Sequence, residues 1–180
     1  DEKRDLWVAK VPYMTKIEYY GYMKKMVLTM HNAIMINRKW LPIHGSMINV
    51  HFKGKDPIGV VFMGDSGAGK SETIEAMQLL NHPDLLKMDV IFDDMGTFHI
   101  EDGKLVAQGT EIGAFIRLDD LDKGSPYKTM DRSIFMNPES VNARVVIPVS
   151  SYNMITQNHP VHYFFYANNA SGNFDIKYAS

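Results

Sequence analysis

The run Gly59-Val60-Val61-Phe62-Met63-Gly64-Asp65-Ser66-Gly67-Ala68-Gly69-Lys70-Ser71 joins an apolar segment to a glycine-rich string of the form G-x-x-x-x-G-K-[ST]. A helical pattern follows over residues 72–80, so the string is predicted to connect a strand to a helix. Glycines let successive backbone N–H groups turn toward one anion, and the helix N-terminus adds the positive end of its dipole. The stretch therefore predicts the phosphate-binding loop of an α/β domain.

Every residue of that string is a candidate nucleotide contact, namely Gly64, Asp65, Ser66, Gly67, Ala68, Gly69, Lys70 and Ser71. Lys70 is predicted to reach the β- and γ-phosphates as a point charge. The Ser71 hydroxyl is predicted to take one position on a Mg²⁺ or Mn²⁺ ion. ATP and a divalent metal are therefore the expected cofactors.

Composition narrows the classes of partner. The 180 residues, 45% of them hydrophobic, are enough for one domain, taken as 1–180. A net charge of −2 with dispersed lysines argues against a nucleic-acid partner. There are no cysteines, so disulfides and thiolate metal sites are excluded. No stretch approaches the ~18 apolar residues of a membrane span, so we expect a soluble cytoplasmic protein without a membrane partner. The abrupt ends suggest a piece of a longer protein.

Periodicity predicts the remaining elements. Apolar residues at three- and four-residue steps predict a helix over 16–38, which ends before Pro42. Strands are predicted over 46–52, 88–92, 97–100, 105–108, 143–149 and 161–166. Turns at 53–57 and at the Asp-Gly pair after residue 101 predict two hairpins, and 119–131 is expected to be a long mobile loop. The predicted architecture is a mixed, twisted sheet that carries the phosphate-loop helix and the helix over 16–38.

Phosphoryl transfer also needs a carboxylate for the metal and further cations. Asp93 and Asp94 follow the apolar run 88–92, and we expect them at the carboxyl end of a buried strand, as Walker B carboxylates. Paired aspartates are also common in solvated turns. The Lys24-Lys25 pair and His44 lie upstream, on elements that could converge on the same edge of the sheet.

Arginine supplies a second kind of candidate cation. Arg144 opens the apolar run 144–148, where an unpaired guanidinium would be expensive to bury. Such a position favours an ion pair or a phosphate at the tip of the side chain. Arg117 and Arg132 are weaker candidates of the same kind.

Five segments together resemble a known family. In chain order they are Gly21-Tyr22-Met23-Lys24-Lys25, Leu41-Pro42-Ile43-His44-Gly45-Ser46, the phosphate loop, Asp93-Asp94 and Asn142-Ala143-Arg144-Val145-Val146-Ile147-Pro148. They resemble the signature segments of ATP-dependent phosphoenolpyruvate carboxykinase. The resemblance spans nearly the whole chain but is dense only in these islands. It implies a phosphoenolpyruvate carboxykinase-like nucleotide-binding core that converts oxaloacetate and ATP into phosphoenolpyruvate, CO₂ and ADP.

The resemblance also implies roles for single residues. Lys25, His44 and Asp94 correspond to the transition-metal ligands of the family, and Ser71 to a residue that holds the Mg²⁺ of the nucleotide. Lys24 is similar to the lysine that touches the transferred phosphoryl group, and Arg144 to the arginine that bridges the phosphates in the transition state. The same register places Tyr19 at a substrate-contacting tyrosine and Ser66 at the loop serine. A small carboxylate substrate is implied.

Two alternatives stay open. The segment Phe165-Tyr166-Ala167-Asn168-Asn169-Ala170-Ser171-Gly172 lacks the acidic residue that the family has there, which leaves the acceptor undecided. The string 64–72, with the upstream His44-Gly45, is also similar to bacterial HPr serine kinase/phosphorylase. In that reading His44 or Asp94 would act as the base toward an acceptor hydroxyl. The other alternative is a domain that binds ATP without turnover.

Overall fold

The structure, a computed structural model, describes residues 2–4, 6–13, 19–64, 68–117 and 144–167. A 3₁₀ turn (Glu2–Arg4) and a π-helical turn (Tyr19–Lys24) precede helices α1 (Lys25–Asn37), α2 (Lys70–Gln78) and α3 (Tyr152–Thr156). The strands are β1 (Leu41–Phe52), β2 (Ile58–Met63), β3 (Leu85–Glu101), β4 (Lys104–Gly109), β5 (Gly113–Arg117), β6 (Arg144–Pro148), β7 (His159–Pro160) and β8 (Tyr163–Tyr166). None of the helices in these ranges is long and apolar enough to cross a membrane.

Six strands form one sheet in the order β7-β4-β3-β1-β2-β8, and β5 pairs with β6 in a separate two-stranded sheet. Strands β2 and β8 are parallel, whereas the other neighbours in the larger sheet are antiparallel. The predicted α/β chain with a mixed sheet is therefore confirmed. Because β2 and β3 are both antiparallel to β1, which lies between them, they run in the same direction.

Both predicted hairpins are confirmed. Strands β1 and β2 pair antiparallel across the turn at 53–57. Strands β3 and β4 pair across Asp102 and Gly103, whose φ angles are 49° and 75°. Two consecutive positive φ angles are typical of the type I′ turn that matches the twist of a two-residue hairpin.

The first helix is shorter than predicted. The α-helix begins at Lys25, after a π-helical turn that contains Gly21, and none of its residues is buried. The next strand begins at Leu41 rather than at 46, so that Pro42 lies within it. Proline is tolerated there because β2 pairs with β1 only from Gly45 onward, which leaves Pro42 with β3 as its only pairing strand in the register.

The prediction of a short strand over 88–92 that ends at two aspartates was wrong. Strand β3 has 17 residues and passes through Asp93 and Asp94. Aspartate is unfavourable in strands, which made the pair look like an end. The strand register shows where the aspartates lie in the sheet. Gly45 of β1 is opposite Asp94 on one side and opposite Met63, the last residue of β2, on the other. The aspartates therefore lie level with the end of β2, where the glycine-rich string begins.

The sheet has an apolar core on each face. One cluster contains Ile48, Val60 and Phe62 with Ile74 of α2, which holds the helix after the phosphate loop against the sheet. The other contains Met47, Val61 and Phe92, with Met154 of α3 packed against it. The segment predicted as a mobile loop, 119–131, and the candidate Arg132 lie outside the described residues.

Candidate functional site

The two ends of the glycine-rich string are close together. Gly64 follows β2, and Lys70 is the first residue of α2. The Lys70 side chain is buried, and its Nζ donates a hydrogen bond to the Gly64 carbonyl oxygen at 2.8 Å. Gly69 has a φ of 83°, a conformation that side-chain-bearing residues rarely adopt, and it caps the helix. The hydrogen bond therefore brings the end of β2 beside the first residue of α2, where the positive end of the helix dipole lies.

Ser71 links this loop to strand β3. Its hydroxyl donates to the Asp93 carboxylate, with Oγ 3.0 Å from Oδ2 and 3.2 Å from Oδ1. Asp93 also accepts a hydrogen bond from the hydroxyl of Ser46, which is fully buried and directly opposite on β1. Two hydroxyl donors from different elements thus fix one carboxylate beside the first turn of α2.

Asp94 joins two other predicted residues. His44 Nε2 is 3.0 Å from Asp94 Oδ1, and Lys24 Nζ is 3.4 Å from Asp94 Oδ2. Because an ionised carboxylate only accepts hydrogen bonds, Nε2 of His44 carries the hydrogen. Nδ1 is then the accepting nitrogen of the neutral ring, available to a metal or to a proton.

A backbone irregularity puts both aspartates on one face of the sheet. Adjacent strand residues normally point to opposite faces, which would turn Asp94 toward the apolar face where the Phe92 ring lies over Gly96. The φ of Asp94 is instead 112°, and its carboxylate contacts His44, two residues from Ser46 on β1. Just before it, the β1–β3 register shifts by one residue between Met47 and Ile48. Bulges and unusual φ angles of this kind are concentrated at functional sites.

Glu111, between β4 and β5, is a member of the cluster that the sequence did not indicate. Its Oε1 is 3.3 Å from Lys24 Nζ, and both side chains are 13% exposed. Burial raises the pKa of Glu111, and the charges of Asp94 and Asp93 raise it further, whereas the charge and hydrogen bond of Lys24 lower it. A single glutamate after a strand has no motif around it, so only the fold reveals this contact. Ser46 was within a quoted segment but had no predicted role.

Lys25 is not among these contacts, and the side chains of Tyr19 and Arg144 lie outside the described part of the structure. Lys25 is exposed at the start of α1, and its neighbour Lys24 supplies the ammonium group next to Asp94. Arg144 begins β6 opposite Arg117 of β5, and Tyr19 begins the π-helical turn. Asp65, Ser66 and Gly67 lie outside the described residues. The roles expected of these residues stay predictions.

No family model and no curated protein sequence matches this chain. Its function must therefore be inferred from its own motifs and contacts.

The oxygen atoms around Ser71 and Asp93 suit a hard divalent cation. Mg²⁺ in nucleotide sites is held by one or two carboxylates, a hydroxyl and phosphate oxygens, and Ser71 Oγ and Asp93 Oδ2 are neighbours. A second metal held by both Asp94 and His44 would take the place of the hydrogen on Nε2, because Nε2 is the ring nitrogen that faces the carboxylate. Among the residues that the structure describes, however, no group of three or more His, Asp or Glu side chains is arranged to hold a metal ion. Any such site would need a substrate or lysine donor.

Proposed function

We propose that this chain is the catalytic core of an ATP- and divalent-metal-dependent phosphoryl-transfer enzyme of the phosphoenolpyruvate carboxykinase kind. The proposed reaction converts oxaloacetate and ATP into phosphoenolpyruvate, CO₂ and ADP, and we propose that it occurs in the cytoplasm. One observation carries the proposal: Ser71 of the G-x-x-x-x-G-K-S string bonds Asp93, while Asp94 bonds both Lys24 and His44. Residues from four distant segments thus meet at one edge of the phosphate loop.

The chemistry of this reaction needs the charges that meet here. Loss of CO₂ from oxaloacetate leaves an enolate, whose oxygen attacks the terminal phosphorus of ATP as the bond to ADP breaks. Negative charge therefore builds up on the phosphoryl oxygens, and positioned cations stabilise it. Lys70 begins α2 and Lys24 contacts Asp94, and in this proposal each supplies one ammonium group to the transferring phosphoryl group.

The aspartates supply the metal ligands in this proposal. Asp93 and Ser71 would hold the Mg²⁺ of the nucleotide, and Asp94 with His44 would hold a Mn²⁺ in place of the hydrogen between them. A bound divalent ion would neutralise charge on the phosphates and on the enolate oxygen. Ser46 keeps the Asp93 carboxylate oriented, which is the role that hydrogen bonds to ligating carboxylates have in metal sites.

The His44–Asp94 pair also favours a second candidate, a kinase of the HPr-kinase kind. With Nε2–H held by Asp94, Nδ1 of His44 can take a proton from an acceptor hydroxyl, and the imidazolium that forms is stabilised by the carboxylate. This candidate requires the same loop and the same Mg²⁺ site. It differs only in the acceptor, a hydroxyl group instead of an enolate.

The acceptor decides between these candidates. ADP formation from ATP is measured with Mg²⁺ and Mn²⁺, with and without oxaloacetate, in the wild-type chain and in Asp93→Asn. Oxaloacetate-dependent ADP and CO₂ in equal amounts, lost in Asp93→Asn, is the expected result. ADP formation only with a hydroxyl acceptor would support the kinase instead. ATP binding without any ADP formation would support a domain without turnover.

The predicted Mn²⁺ site is tested separately. His44→Ala is expected to weaken Mn²⁺ binding much more than ATP binding, because His44 contacts Asp94 but not Lys70 or Ser71 in the described structure. His82→Ala is the matched control, since His82 lies in the loop between α2 and β3, away from the aspartates. Unchanged Mn²⁺ affinity in His44→Ala would remove His44 from the site.

A further inference from the structure

We propose that Glu111 is a positioning residue, which holds the Lys24 ammonium group in place for the terminal phosphate of the nucleotide. This inference rests on the proposed function. Lys24 Nζ lies between two carboxylates, 3.3 Å from Glu111 Oε1 and 3.4 Å from Asp94 Oδ2. At these distances the attraction is mainly that of an ion pair, and the low exposure of Lys24 and Glu111 strengthens it and restricts where the ammonium group can lie.

Glu111 is better placed than Asp94 to do this. Its side chain is 13% exposed, as is that of Lys24, whereas Asp94 is 44% exposed and shares its carboxylate with His44. A lysine has a flexible four-carbon stem, so an ammonium group held from one side only would sample several positions. Glu111 supplies a further carboxylate beside the ammonium group, and this carboxylate is more buried than that of Asp94.

The contacts of Asp93 and Asp94 indicate where Lys24 would act. Asp93 bonds Ser71 at the start of α2, and Asp94, the next residue, bonds Lys24. A phosphate loop holds the β-phosphate against the helix N-terminus, and the γ-phosphate extends beyond it. Lys24 is thus linked to the start of α2 through the two aspartates, and we expect it to contact the γ-phosphate rather than the phosphates that ADP retains. Its contribution should appear in binding of ATP and not of ADP.

The test compares the affinities for ATP and ADP, both with Mg²⁺, by calorimetry. Glu111→Gln keeps the size of the side chain and removes its charge. We expect it to weaken ATP binding about tenfold, through the loss of one poorly exposed ion pair, and to leave ADP binding within roughly twofold. Glu111→Asp, which keeps the charge, should restore part of the loss. Asp56→Asn, the same chemical change at an exposed turn between β1 and β2, should change neither affinity.

A double-mutant cycle separates positioning from general destabilisation. If Glu111 acts through Lys24, then Glu111→Gln should have no further effect on ATP affinity once Lys24→Met is present. Equal losses of ATP and ADP affinity, or full additivity of the two substitutions, would overturn the inference while leaving the proposed function intact. A wild-type chain that binds neither nucleotide would overturn the proposed function itself, and the inference with it.

Discussion

Replacement of Ser46 by alanine tests how the candidate metal ligand is held. Ser46 is fully buried in β1, and its hydroxyl donates to the Asp93 carboxylate directly across the strand pair. The substitution removes one hydrogen bond to a charged group, which contributes about 1.5–3 kcal/mol. Asp93 is only half-buried and keeps its bond from Ser71, so we expect the low end, about 1.5 kcal/mol of unfolding free energy. In a chain of this length that lowers the Tm by roughly 3–6 °C.

Urea and thermal unfolding followed by circular dichroism measure this loss. Ser150→Ala is the matched control, because the Ser150 hydroxyl is buried without a hydrogen-bond partner in the part of the chain that is described. Removing an unpaired hydroxyl should be neutral or stabilising. If Ser46→Ala is no less stable than Ser150→Ala, the hydrogen bond from Ser46 does not hold Asp93, and this account of the site's geometry is incorrect.

Three further predictions follow from the backbone and the charges. Gly69 and Gly54 both have a positive φ and open space where a methyl group would be added. Substitution of either by alanine should therefore lower the free energy of unfolding in urea by about 1–2 kcal/mol. Only Gly69→Ala should weaken ATP binding. Burial raises the pKa of Glu111 above 4.5, so near this pKa the folded state binds more protons at Glu111 than the unfolded state does. As the pH rises from 4.5 through the folded-state pKa, the free energy of unfolding of the wild type should therefore fall relative to that of Glu111→Gln. Burial raises the pKa of Asp89, but the hydrogen bond and charge of Lys87 and the nearby His51 lower it more, below 3.8 overall. At neutral pH, Asp89→Asn should therefore cost about 0.5 kcal/mol, because the Lys87 partner is mostly exposed, and the difference should vanish in acid titrations as the pH falls through the folded pKa.

Local chemistry explains which parts of the fold could be predicted. The glycines at the loop and the Asp-Gly pair at 102–103 specify backbone conformations that few other residues adopt, so the strand–loop–helix unit and the β3–β4 hairpin were evident from sequence. The alternation of apolar residues predicted the carboxyl-terminal part of β1, residues 46–52. The extent of β3 was not predictable in this way, because its aspartates are unfavourable in a strand and are stabilised there by Ser46, Ser71 and His44 from other elements.

Some residues of the candidate site could likewise be predicted from the sequence, and others could not. Lys24, His44 and the two aspartates were named from sequence because their residue types suit phosphoryl transfer, and the structure brings them together. Glu111 could not be predicted, because its contact with Lys24 depends on how the segment between β4 and β5 lies against the π-helical turn. The common orientation of Asp93 and Asp94 could not be predicted either, since it depends on the unusual φ of Asp94.

The central claim is that the glycine-rich loop and its aspartates bind a metal–nucleotide complex. Calorimetric titration of the wild-type chain with ATP, in the presence of Mg²⁺ and Mn²⁺, tests it most directly. Lys70→Ala removes the buried loop lysine, and Lys55→Ala removes an exposed lysine in the turn between β1 and β2. The account predicts saturable, metal-dependent binding in the wild type and in Lys55→Ala that is lost in Lys70→Ala. Absence of binding in the folded wild-type chain, or equal binding in Lys70→Ala, would contradict it.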